Sequence, residues 1–146
     1  MASFFLACQQ QFSNNDEAGE KELDMYSESE LAQLMESMYA TNMEWRELIL
    51  ADSVPANFPE YFNSIHTAQI SEGMTKEGAP YGALADQYLK EVEAITRSEN
   101  ADEAKIAFNQ MVNACSSCHY SYCPGPLSRI HKMKIPIHEK GDTTDR

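Results

Sequence analysis

ADEAKIAFNQMVNACSSCHYSY, residues 101 to 122, is the stretch on which the fold turns. Ala104, Ala107, Phe108, Met111, Cys115, Cys118, His119 and Tyr122 recur three and four apart, the spacing of one helix face. Asn100 stands in front as a cap, and Pro124-Gly125-Pro126 closes the run. The pattern predicts a long amphipathic helix from about Ala101, its inward face ending in two cysteines and a histidine.

Three upstream segments share that period. The first opens on Ser27-Glu28-Ser29-Glu30, a capping box in which serine and Glu30 satisfy the free amides of the first turn. Its apolar side reads Leu31, Leu34, Met35, Met38, Trp45, Leu48 and Ile49, interrupted midway by Thr41 and Asn42, and should stop near Asp52. The second, from about Pro59 to Gly73, groups Phe58, Tyr61, Phe62 and Ile65, with Pro59 and Glu60 favourable in a first turn. The third, Pro80 to Ser98, is striped by Tyr81, Leu84, Ala85, Tyr88, Val92 and Ile95. No segment alternates like a strand, and no repeat of 20–50 residues is present. The expected fold is all-α: an antiparallel four-helix bundle over residues 27–123, after a lead of residues 1–26 and before a tail of residues 124–146.

Composition agrees. A chain of 146 residues with 42% hydrophobic and 23% charged residues fits one globular domain, and scarce valine beside plentiful Ala, Glu, Met, Leu and Gln favours helices. Acidic residues outnumber basic ones 23 to 11, a net charge of −12 that repels nucleic acid and would steer cationic partners. No apolar run is long enough to span a membrane. The start, MASFFLACQQQFSNN, lacks the basic region of a complete signal peptide, yet FFLAC resembles the end of a bacterial lipoprotein signal. Cys8 is then a lipidation candidate, against a bland reading as one incidental cysteine in a polar lead; residues 13–26 read as a tether.

Cys115, Cys118 and His119 lie at i, i+3 and i+4 and share one helix face. Cys-X-X-Cys-His is the attachment sequence of c-type haem. Thiols three residues apart reach two vinyl groups on one porphyrin edge, and the next residue offers an imidazole to the iron. Other readings fit less well. A thioredoxin-like pair wants a strand before its cysteines and a βαβ setting. A zinc site wants four ligands in two pairs, and no second pair is recognisable. A disulfide between Cys115 and Cys118 would strain a helix. Cys123 reads as a buried spare thiol. His66 sits at the edge of the second segment, a weak distal candidate. His131 and His138 belong to a basic tail, RIHKMKIPIHEK, and Trp45 and the tyrosines to core or haem-edge packing.

With this motif on the last helix, the chain resembles the cytochrome c-prime superfamily over about residues 27–123. The resemblance is carried by Cys115-Ser116-Ser117-Cys118-His119 with Tyr122 three residues on, and more loosely by the methionine-rich ELAQLMESMYATNM. It implies one covalent haem c inside the bundle, His119 as proximal iron ligand, and a first-helix residue over the distal face. Met35 is the candidate distal ligand and Met38 the reserve. A methionine ligand implies a low-spin electron carrier and no enzyme; a vacant sixth position implies a five-coordinate haem that binds or senses small gases such as NO or CO. The resemblance also implies maturation in the bacterial periplasm or at an extracytoplasmic membrane face, which matches a lipid anchor at Cys8. Expected partners are redox proteins with basic docking surfaces, and a homodimer is allowed. The chain departs from the family at Cys123, where a basic residue is usual.

Overall fold

Ser29 accepts a hydrogen bond from the Ala32 amide at 3.2 Å and starts the first long helix, α1 (Glu30–Leu50). Glu30 reaches across to accept from the Gln69 amide at 3.0 Å, so the predicted box is replaced by a serine cap two residues later and a long-range carboxylate contact. Ser27 lies outside the described residues, which are 28–76 and 80–137 of this computed structural model. Past α1, Asp52 takes a left-handed φ of 62° that turns the chain away.

The second segment is not an α-helix. Residues Glu60–His66 form a 3₁₀ helix. The physical reason is legible in its burial: Phe62, Ile65 and Ala68 are buried at intervals of three, the period of a 3₁₀ turn, while Tyr61 and His66 are exposed. Helices α2 (Tyr81–Thr96) and α3 (Ala101–Tyr122) follow the predicted segments within two residues. Asn100 caps α3 as expected, accepting from the Glu103 amide at 3.0 Å while the Glu103 carboxylate accepts from the Glu99 amide. The described residues are therefore all-helical, with three long helices, one 3₁₀ turn and a short helix, α4 (Leu127–His131).

Contacts fix the directions. The Tyr81 ring at the start of α2 meets Tyr122 at the end of α3 edge-on, with centroids 5.4 Å apart. The start of α1 likewise lies beside the end of α3, where Ser29, Leu31 and Met35 share a cavity with Cys118, His119 and Tyr122. Both α1 and α2 thus run antiparallel to α3. The core runs between them, with Ile49, Phe62, Val92, Ile95, Ala104, Phe108, Met111 and Val112 fully buried.

The tail belongs to this core. Ile130, Met133 and Ile135 are buried. Asn109 clips the Ile135 backbone from both sides, donating to its carbonyl at 2.8 Å and accepting from its amide at 2.9 Å. Arg46 donates to the Met133 carbonyl at 3.0 Å. The boundary drawn after residue 123 does not separate core from tail, because those three apolar residues complete a surface that α1 and α3 leave open. Among the described residues no helix is long and apolar enough to cross a membrane.

Candidate functional site

The last two turns of α3 carry Cys115, Cys118 and His119 toward α1, as the helical spacing requires. They face a cavity of about 90 Å³ that Met35 and Met38 line from α1 and Leu84 and Tyr88 from α2. A second cavity, of about 190 Å³, adjoins it and shares Met35, Glu36, Cys118, His119 and Pro126. Both linings are largely apolar, as in small-molecule and cofactor sites. The register left open by sequence is now explicit: the first turns of α1 lie opposite the last turns of α3. Met35 stands where the two cavities join. Met38 is buried and lines only the first.

His119 is held by the end of its own helix. Its Nδ1 lies 3.0 Å from the Cys123 carbonyl oxygen. A carbonyl can only accept, so Nδ1 carries the proton, and in the neutral imidazole Nε2 keeps its lone pair. This is the arrangement that fixes the tautomer and orientation of a metal-ligating imidazole. Cys123 is the C-cap of α3, and its amide also donates to the His119 carbonyl at 3.0 Å. The structure gives Cys123 a backbone role that reasoning about its thiol missed.

The thiols are free, and burial pushes Cys115 up to about 12, with the neighbouring Cys118 as a second cause. Burial raises Cys118 as well. Thiols of redox pairs and zinc sites need the opposite shift, since the thiolate is the working form. Among the described residues no three His, Cys, Asp or Glu side chains are arranged to hold a metal ion. What remains is a neutral dithiol beside an oriented imidazole at an apolar cavity.

Two features went unread in the sequence. Asn42, the one buried polar residue of the described core, donates from Nδ2 to the Tyr88 hydroxyl at 3.2 Å, and its buried Oδ1 has no partner. Both residues line the first cavity. The signal was Asn42 itself, a polar interruption of an apolar stripe. The second feature is the rim. Arg129 from α4 makes two 2.7 Å hydrogen bonds to the Glu36 carboxylate and stacks 3.7 Å from the Tyr39 ring centroid. That pairing holds Glu36 below its ordinary carboxylate value.

The remaining candidates lie elsewhere. His66 pairs with Asp86 at 3.1 Å on the surface, outside both cavities. His131 is exposed on an outer groove with Tyr120. Trp45 is in the core against Phe62, 6.5 Å between centroids, and lines neither cavity. Met133, not singled out in the sequence, is a third methionine on the first cavity and is buried. Cys8 and His138 lie outside the described residues.

No family model matches the chain, and no curated protein or solved structure is significantly similar to it.

Proposed function

We propose that this protein is a mono-haem c-type cytochrome that carries electrons. The observation that carries the reading is His119: its Nδ1 is tied to the Cys123 carbonyl, so Nε2 is free beside Cys115 and Cys118 at an apolar cavity. The donor set fits the group. Each thiol can add across a vinyl double bond, its sulfur bonding to one vinyl carbon and its proton going to the other, so attachment needs no oxidant. Held there, a haem supplies a reversible one-electron iron couple. The chain's own part is to orient the imidazole, to offer sulfur from the opposite wall and to exclude water. Met35 is the distal sulfur of choice because, from α1, it lines both cavities across from His119 and Cys118 on α3, with Met38 in reserve. A thioether ligand raises the potential.

The four apolar segments support a bundle of the cytochrome c-prime kind, with the 3₁₀ turn and its linker in the place of the second helix. Attachment chemistry of this kind belongs outside the bacterial cytoplasm, in the periplasm or at a membrane face reached through Cys8. A second reading has its own support. The unpartnered Oδ1 of Asn42 and the Tyr88 hydroxyl make a polar spot in the cavity wall, which suits a small exogenous ligand better than a filled sixth position. In that case the haem is five-coordinate and the function is binding of small gases.

Optical spectra of oxidised and reduced protein, matured with a haem-attachment system, decide between them. The electron-carrier reading predicts a low-spin spectrum with a sulfur-to-iron band near the red end of the oxidised trace. A high-spin spectrum with ready carbon monoxide binding transfers the function to gas binding. Protein that loses all its haem to acidified organic solvent overturns both.

A further inference from the structure

The net charge of −12 conceals a division. Residues 104–138 contain four Lys or Arg and not one Asp or Glu. The rest of the chain holds the other seven basic residues and all 23 acidic ones, a formal −16. The acid-free stretch covers nearly all of α3, including the cysteines and histidine, and the tail that packs over them.

Two of its four cations are neutralised locally. Lys105 pairs with Asp102 at 3.0 Å near the far end of α3, and Arg129 pairs with Glu36 at the cavity rim. Lys132 and Lys134 are exposed and make no ion pair among the described residues. Lys132 follows His131 in the chain and the Lys134 amide donates to the His131 carbonyl at 3.3 Å, which puts both next to the groove that His131 shares with the outer side of α3. Tyr120 is 80% exposed, the largest exposure among the big hydrophobic side chains of the described residues. It forms a shallow groove with Ser116, Ser117, Leu127 and His131. An exposed aromatic and a leucine with small hydroxyls between them, bordered by cations, have the makeup of a small interface: an apolar centre and a charged rim.

We infer that this face, centred on Tyr120 and bordered by Lys132 and Lys134, docks an acidic surface of a partner protein. Net charge alone favours a basic partner. The local charge reverses that expectation here, because in salt solution the charges within about 8–10 Å dominate what a docking surface feels. The remaining acidic surface repels the same partner and so fixes which way round it lands. Tyr120 is the residue next to His119, and Ser116 and Ser117 lie between the two cysteines, so a partner seated here is one helix turn from the proposed cofactor attachment. The inference rests on the electron-carrier reading only for what would cross the interface.

The test is a backbone-amide NMR titration of the matured protein with poly-glutamate at low salt. Shift changes are expected at residues 116, 117, 120, 127, 131, 132 and 134, and should fade as salt rises. Lys132→Glu with Lys134→Glu should weaken the binding by on the order of tenfold, and Tyr120→Ala should weaken it without altering the salt dependence. Changes that map elsewhere, or that survive the double charge reversal, overturn the inference. So do two other occupants: vesicles containing phosphatidylglycerol that bind this face more tightly than poly-glutamate, or concentration-dependent shifts on it without any probe, which would mean a second copy. Absence of covalent haem from the same sample would sink the cytochrome reading and leave this mapping standing.

Discussion

The two ends of the helical core are built from the same three helices and the same apolar stripe, yet they differ in what fills them. At one end Ile49, Phe62, Val92, Ile95 and Phe108 interlock with no exposure. At the other, Met35, Met38, Cys115, Cys118 and His119 surround adjoining cavities. Branched and aromatic side chains fill space with few rotamers, whereas methionine and cysteine are soft and adaptable. The closed end holds the fold. The open end keeps cavities beside its soft side chains.

The contrast can be broken most sharply at the cysteines. Cys115→Ala with Cys118→Ala should abolish haem retention through acid–organic extraction, while the haem-free chain unfolds within about 1 kcal/mol of the parent per site, as for an ordinary substitution. A large loss of stability without haem would show that the open end is core after all. At the closed end Phe108→Ala should cost about 3–5 kcal/mol in denaturant unfolding, whatever the cavity holds. A cost below about 1 kcal/mol would mean that this end is loosely packed as well.

The sulfurs sharpen the comparison further. Met35→Ala should remove the red sulfur-to-iron band; if the band survives and disappears in Met38→Ala, the ligand lies one turn along α1. Met133→Leu is the control from the tail and should leave the band in place.

The smallest effect belongs to the rim. Glu36 is held below its unfolded value by Arg129, so its contribution is present above the ordinary carboxylate pKa and is lost as pH falls through the lowered one. Both side chains are well exposed, which keeps the contribution under about 1 kcal/mol. The pH dependence of unfolding between about pH 5 and 2 should therefore flatten slightly in Glu36→Gln. An unchanged profile would show that the pairing adds nothing.

How much of this the sequence disclosed depended on the kind of contact involved. Helices α1, α2 and α3 were legible because period, caps and breakers all agree, as at Asn100 and at Pro124-Gly125-Pro126. The 3₁₀ turn was misread as α-helix because Phe62 and Ile65 fit either period, and only the burial of Ala68 separates them. Cys115, Cys118 and His119 could be placed on one face because their relation is local. Asn42 with Tyr88, Arg129 with Glu36, and Asn109 with Ile135 join residues 46, 93 and 26 apart. No periodicity announces such pairs. By sequence alone the tail could wrap the bundle or trail in solvent, for the same reason: its partners lie on helices that come long before it in the chain.

That last fact bears on the order of assembly. The Arg46–Met133 and Arg129–Glu36 contacts reach back 87 and 93 residues, across all three long helices. During synthesis α1, α2 and α3 emerge first, and the segment carrying Ile130, Met133 and Ile135 follows them. Until it docks, one wall of the cavity at Met38 and Cys115 is missing. On the proposed reading, a broad flat cofactor would have to enter past that edge before the tail covers it.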